Sequence, residues 1–229
     1  MVSPRTEARV DLWLRAPDAA TRGEAPDVDV LDVVELQRWQ RFRHVESARS
    51  YAAAHALARN EIGRLLGREP SSLRFDRTCA TCGAPHGRPR LLDDPALHLS
   101  LSRTPDLVAL AVSRSGPVGV DVERRQAASF DGFAEVALHP GERATGAVAV
   151  SPDGAVAWVR KEAALKALGV GLRVDPASMR TPTEGQAGEV VAGLPPVTLV
   201  DVRPEPDPAG HAVAVALVGS GAPLVVRRH

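Results

Sequence analysis

The sequence predicts an α+β fold built from two similar halves, and three observations lead there. Apolar residues recur with the period of a strand in some stretches and of a helix in others, as in Val118, Val120 and Val122 against Trp158, Leu165 and Leu168. Each half reads as helices followed by an antiparallel group of strands, with the turn Arg114-Ser115-Gly116-Pro117 marking a boundary between residues 1–116 and 117–229. The 229 residues suffice for one large domain or two of about 110 residues, either able to bury a core.

Taken in order, Val10, Leu12 and Leu14 alternate with Arg9, Asp11, Trp13 and Arg15 and predict an opening strand that ends before Pro17. A loop rich in Pro, Gly and Asp runs to about Val28. Leu31 to Arg43 is helical in composition, and Ser47 to Leu66 is a longer helix with Ser47 as N-cap and Gly67 as its stop. His55, set among alanines, reads as a packed helix residue. Leu97 to Ser102, a turn at 103–106 and Leu107 to Ser113 predict a hairpin. Gly119-Val120-Asp121-Val122-Glu123 lies on the next strand. Ser129 opens a helical run through Phe130, Phe133, Val136 and Leu138 that ends at Pro140. Glu142 to Val150 reads as another short helix, and Ser151 to Gly154 as a loop. Trp158 to Leu168 is an amphipathic run of good helix formers with Gly169 placed to end it. The tail supplies strands at Val197 to Val202, His211 to Val218 and Leu224 to Val226, with a short edge strand near Glu189 to Val191.

Composition narrows the function. The 28 Lys and Arg balance 28 Asp and Glu, and aromatics make up only 3%, which argues against a nucleic-acid binder needing a basic surface and stacking platforms. Charges at Arg5, Glu7, Arg9, Asp11 and Arg15 interrupt the N-terminus, so neither a secretory signal nor a membrane span is expected there, and the expected location is cytoplasmic. Cys79 and Cys82 are too few for a disulfide framework. With His86 they fall short of the four ligands of a structural zinc site and read as two thiols in a Gly/Pro-rich loop.

The chemistry concentrates in two stretches. Strand alternation points Asp121 and Glu123 to the same side, and helical spacing puts Glu162 and Lys166 on one face. Oxygen ligands without His or Cys suit a hard cation, Mg²⁺ with Mn²⁺ as an alternative, held together with water and substrate phosphate. A lysine beside such a cation binds phosphate or stabilises a leaving group. Either stretch alone also reads as a solvated strand end or a helix ion pair of about 0.3–0.5 kcal/mol.

Together, Gly119-Val120-Asp121-Val122-Glu123 and Trp158-Val159-Arg160-Lys161-Glu162-Ala163-Ala164-Leu165-Lys166 resemble the paired signatures of the 4′-phosphopantetheinyl transferases, in their monomeric surfactin-type (Sfp-type) branch. Further stretches carry the resemblance. Arg41-Phe42-Arg43 through Arg59 looks like the basic N-terminal segment that contacts the 3′-phosphate of coenzyme A. Gly87-Arg88-Pro89-Arg90-Leu91 is similar to a Gly-Lys-Pro-x-Leu motif, and Leu97 to Ser102 to a Phe-Asn-Leu-Ser-His-Ser motif. Val170-Gly171-Leu172 follows as a family-like turn.

The resemblance implies two α+β halves related by a pseudo-twofold axis, with the site in the cleft between them. It implies transfer of the phosphopantetheine arm of coenzyme A to a serine of an apo acyl, peptidyl or aryl carrier protein, releasing adenosine 3′,5′-bisphosphate. Asp121, Glu123 and Glu162 would hold Mg²⁺, Glu162 would serve as base, and Lys166 would contact the phosphates. Arg88 and Ser100 would hold the nucleotide end, with Arg41, Arg43 and Arg59 toward the 3′-phosphate. One departure stands out: the family's phosphate-binding histidine is Leu101 here, a loss of about 1.5–3 kcal/mol, or roughly ten- to a hundredfold in affinity. Arg103, two residues on, would partly compensate by its proximity. Two other readings stay open, a different Mg²⁺-dependent phosphoryl-transfer enzyme and a noncatalytic relative that binds coenzyme A or carrier proteins. No Walker loop, kinase signature or nucleophile elbow supports the first.

Overall fold

Alternation along the strands decides which faces are buried, and two sheets pressed together with a helix on each outer side satisfy all of them. The computed structural model describes residues 7–17, 28–79, 82–85, 87–128, 131–144, 154–219 and 222–229. The chain opens with β1 (Ala8–Arg15), α1 (Val33–Trp39) and α2 (Val45–Leu66). A two-stranded ribbon of β2 (Phe75–Asp76) and β3 (Arg90–Leu91) precedes the hairpin of β4 (His98–Arg103) and β5 (Val108–Ser113). Then come β6 (Val118–Arg124), the short helices α3 (Phe133–Ala137) and α4 (Pro140–Ala144), and α5 (Gly154–Leu168). The remaining strands are β7 (Ala187–Gly188), β8 (Val197–Val202), β9 (His211–Val218) and β10 (Leu224–Arg228).

The first sheet has the order β10-β1-β5-β4 and the second β6-β9-β8-β7. One face of β5, Val108, Leu110 and Val112, packs with Trp13, Leu99 and the Ala53, Ala54, Leu57 and Ala58 face of α2. The other face, Ala109 and Ala111, joins Val10 and Leu12 against Val118, Val120 and Val122 of β6 and Val213, Val215 and Leu217 of β9. On the far side of the second sheet, Ala212, Ala214 and Ala216 receive α5 through Val159, Ala163 and Ala167. The last strand, β10, pairs in parallel with β1, Ala8 opposite Leu224 and Leu12 opposite Arg228, so the first sheet draws on sequence from both sides of Gly116.

Element ends show where local reading and structure part. Gly67 ends α2 in the left-handed region at φ 63°, as expected of a C-terminal glycine. The start of α2 lies a turn earlier than Ser47, at His44, with Glu46 in the first turn where an acidic side chain suits the helix dipole. The expected 31–43 helix is limited to α1, which begins in a capping box: Asp32 accepts from the Glu35 N–H while Glu35 accepts from the Asp32 N–H. The helical run expected to end at Pro140 stops earlier, at Ala137 with Leu138 extended as its C-cap, and Pro140 opens α4; the edge strand expected at 189–191 lies at β7. Ser129, Phe130 and residues 145–153 fall outside the described residues. Among the described residues no helix is long and apolar enough to cross a membrane.

Beneath α1 sits a charged knot. The Glu35 carboxylate, 1% exposed, accepts from Arg59 Nε at 2.6 Å and from Arg77, and meets His55 Nδ1 at 2.9 Å. Asp32 accepts from the same two arginines at 2.6 and 2.9 Å. Burial alone would raise the Glu35 pKa, but the His55 hydrogen bond and charge, then Arg59 and Arg77, bring it from 4.5 down to about 2. Burial holds the His55 pKa down, so the two arginines are the lasting cations. A depressed carboxylate stabilises the fold fully above its unfolded pKa and loses that contribution as pH falls through the folded one. The loss from this group at pH 3 is therefore expected to be about 2 kcal/mol. Urea unfolding at pH 6 and pH 3 checks it, because the drop between the two pH values should be smaller by that amount in Glu35→Gln.

Candidate active site

β6 presents Val118, Val120 and Val122 to the core between the sheets, so Gly119, Asp121 and Glu123 face α5. Their partners across the ladder are Ala216, Ala214 and Ala212. Glycine and three alanines make a flat floor, and α5 comes down on it: a Cβ at Gly119 would lie 1.9 Å from the Ala163 carbonyl oxygen and 2.6 Å from the Ala167 nitrogen. This close approach carries Glu162 and Lys166, one turn apart on α5, to the level of Asp121.

Lys166 Nζ donates to Asp121 Oδ1 at 2.6 Å, and to Ser102 Oγ and the Val120 carbonyl at 3.2 Å each. Ser102 Oγ donates to the same Asp121 oxygen at 2.7 Å and accepts the Val122 N–H at 3.3 Å. Ser100 Oγ accepts the Val120 N–H at 3.0 Å. Two serines of β4 thus cap the edge of β6, which pairs with no further strand among the described residues, and orient the carboxylate at the same time.

Two oxygens are left over. Asp121 Oδ2 and Glu162 Oε1 are buried without a hydrogen-bond partner among the described residues. Burial raises the Glu162 pKa, Asp121 raises it further, and Lys166 opposes both. Glu123, half-buried, is pushed up by burial and by Asp121 and Glu162, against Lys166 and His211. Three carboxylates feel one another here and a single lysine does not neutralise them. Among the described residues no three His, Cys, Asp or Glu side chains gather tightly enough to hold a metal by themselves. The donor set therefore fits a cation that takes one or two carboxylates and completes its shell with water and phosphate, which is the habit of Mg²⁺.

Residues 117–216, which contain all four of these charged side chains, match the 4′-phosphopantetheinyl transferase superfamily. Over 223 residues, 92% of this chain and 89% of the relative, the sequence is 29% identical to the 4′-phosphopantetheinyl transferase HetI of Nostoc sp. (strain PCC 7120 / SAG 25.82 / UTEX 2576).

The other expected site residues are spread more widely. Arg88 donates to the Ala167 carbonyl at 3.0 Å and to the Val118 carbonyl at 3.2 Å, closing the C-terminal end of α5 against β6. Ser100 adjoins the carboxylates through Val120. Arg41 is exposed and lines a separate groove with Val34, Gln37, Arg38, Phe42, Ala84 and Pro85. Arg43 is exposed beyond the end of α1 and is not part of that groove's lining. Arg59 comes to neither place: it is 0% exposed, and besides Glu35 and Asp32 it holds the Pro70 and Leu73 carbonyls at 3.1 and 3.0 Å. The fully buried Lys161 is a strut that donates to the Ala137 and Pro176 carbonyls and to Glu142 at 2.6, 2.9 and 2.7 Å. Trp158 packs its ring edge against Phe133 at 6.4 Å, consistent with a packing role. Ser102 was not among the expected site residues. The signal for it was its two-residue spacing from Ser100 on a strand facing β6.

Proposed function

We propose that this protein transfers the 4′-phosphopantetheine arm of coenzyme A to a serine of an apo acyl or peptidyl carrier protein in a Mg²⁺-dependent reaction. The observation that carries the proposal is the pair of bare buried oxygens on Asp121 and Glu162 beside Lys166. The 4′-phosphopantetheinyl transferase named as the relative and the superfamily matched by residues 117–216 support the same reading. A helix on the outer face of each sheet, with the sheets' inner faces meeting, supports two similar halves with the site at the seam of β4 and β6.

Asp121 and Glu162 would hold the cation together with water and substrate phosphate, with Glu123 two strand positions from Asp121 adding negative charge beside it, and the cation when bound would supply Lewis-acid neutralisation of the pyrophosphate charge. The carrier serine Oγ forms a bond to the β-phosphorus while the bond from that phosphorus to the bridging oxygen of the α-phosphate breaks. Glu162 takes the serine proton; its raised basicity suits that task. Lys166, with its side chain 30% exposed, reaches the cleft and stabilises the departing phosphate of adenosine 3′,5′-bisphosphate. Ser102 keeps Asp121 from turning away. Of the remaining candidates, Ser100 adjoins the carboxylates through Val120, and Arg88 closes α5 against β6. Arg41 and Arg43, both exposed, are assigned to the 3′-phosphate by the resemblance alone, and Arg59 is spent on Glu35 and Asp32 under α1.

Intact-mass spectrometry of an apo carrier protein incubated with this protein, coenzyme A and Mg²⁺ tests the proposal. The expected result is a gain of one phosphopantetheine arm on the carrier serine, lost with EDTA. No gain across several carriers, while calorimetry still shows coenzyme A binding, would replace the proposal with a noncatalytic binder. Release of phosphate without a carrier would indicate hydrolysis instead.

A further inference from the structure

A titratable group outside the carboxylate cluster is held by residues of both sheets. His211, 4% exposed, opens β9. On its own side, Nδ1 meets Asp207 Oδ1 at 2.6 Å, and Asp207 Oδ2 accepts the His211 N–H at 2.6 Å, within the loop that leads into β9. Nε2 crosses to the first sheet, where it meets Asp106 Oδ1 at 3.1 Å and Thr104 Oγ1 at 3.3 Å in the turn between β4 and β5.

That turn moves as one body. Thr104 Oγ1 donates to Asp106 Oδ1 at 2.8 Å and accepts the Leu107 N–H at 3.0 Å, and the Thr104 N–H donates to the Leu107 carbonyl at 2.8 Å. Arg124, the last residue of β6, donates from Nε to both Asp106 oxygens at 3.1 and 3.2 Å. Burial would raise the Asp106 pKa, but hydrogen bonds from Arg124, Thr104 and His211 bring it down to about 2, so it stands ready as an acceptor. Ser100 and Ser102 meet the Val120 and Val122 amides at a two-residue step, and the next step of the same alternation reaches Thr104 on one side and Arg124 on the other. His211 therefore closes the end of the seam along which Ser102 holds Asp121.

We propose that His211 is a positioning residue: by joining Asp207 to Asp106 and Thr104 it fixes the β4–β5 turn on β9, and so keeps Ser102 against Asp121 and Lys166 in the arrangement that arm transfer needs. The part that concerns transfer rests on the transferase reading; the closure of the seam does not. The valines and alanines between the sheets attract without preferred direction, so they leave the sheets free to slide. Directional hydrogen bonds across the seam set the register. A shift of about 1 Å at a reacting group is enough to cost roughly 10²-fold in rate.

Asparagine places an amide nitrogen near the position of Nδ1, and glutamine near that of Nε2. His211→Asn therefore keeps the bond to Asp207 and loses the one that crosses the sheets, whereas His211→Gln keeps the crossing bond. Hydrogen exchange of the full chain without ligand reads the seam, and mass-spectrometric transfer rates read its consequence. In His211→Asn the Val120 and Val122 amides are expected to exchange about tenfold faster, with the amides of Ala109 and Ala111 on β5 unchanged. The value of kcat should fall roughly 10- to 100-fold while KM for coenzyme A stays within about twofold. His211→Gln should remain close to wild type in both readouts. Asp106→Ala, at a side chain 31% exposed, should reproduce the asparagine result, and it carries the decision should His211→Asn fail to fold. Equal effects of asparagine and glutamine, or faster exchange at β5 and the seam alike, would make His211 an ordinary packing residue and overturn the assignment. Faster exchange at the seam with an unchanged kcat overturns it too. Wild-type protein that transfers nothing sinks the transferase reading and the role in transfer with it, while the exchange comparison by itself still decides whether His211 closes the seam.

Discussion

Glu162→Gln is expected to lower the rate of arm transfer by roughly 10²–10⁴ and to raise the Mg²⁺ concentration the reaction needs, while leaving the fold close to wild type. Glutamine keeps the shape of the side chain, so the packing of α5 on its alanine floor is undisturbed. It loses the negative charge and the basic oxygen that Glu162 keeps buried and unpartnered. Because burial and Asp121 make this carboxylate unusually willing to accept a proton, its removal acts on the transition state more than on the ground state. Mass-spectrometric initial rates at saturating coenzyme A measure the effect, with a thermal melt as control. A rate within a few fold of wild type would remove Glu162 from the role of base.

Gly119→Ala should be the most damaging conservative change in the protein. The added methyl group would sit 1.9 Å from the Ala163 carbonyl oxygen, inside any real contact, and the clash is with helix backbone that cannot rotate away. Either α5 lifts from the sheet or β6 bends, at an expected cost of about 3 kcal/mol or more. That corresponds to a fall in melting temperature of roughly 6–12 °C. Glu162 precedes Ala163 directly, so the remaining folded protein should also transfer more slowly. Scanning calorimetry together with rates corrected for folded fraction separates the two effects. An unchanged melting temperature would mean that α5 does not lie on β6 as closely as the geometry states.

The four charged residues that meet at the seam were legible because each sits in a regular element whose period fixes its direction. Asp121 and Glu123 alternate with valines that must go inward, and Glu162 and Lys166 are a turn apart on a run ended by Gly169. The arginines were less legible. Arg59 and Arg41 lie in similar helical surroundings, but Arg59 faces Glu35 and Asp32, which lie more than twenty residues earlier in the sequence, and no local pattern announces that partnership. Lys161 has the look of a solvated charge, yet carbonyls from two distant segments enclose it. Ser47 carries the chemistry of an N-cap, but the helix continued past it. Ser102 was hidden for a different reason, since a hydroxyl on a strand takes its meaning from the edge it meets.

The parallel pairing of β10 with β1 bears on how the chain reaches this structure. Residues 224–228 complete a sheet whose other members lie between residues 8 and 113, so a polymer loop of some two hundred residues is closed by one short ladder. Until that ladder forms, β1 keeps a bare edge. The first sheet is therefore expected to be complete only once residues from both ends of the sequence have met, and this ladder is the contact of greatest sequence separation in that sheet.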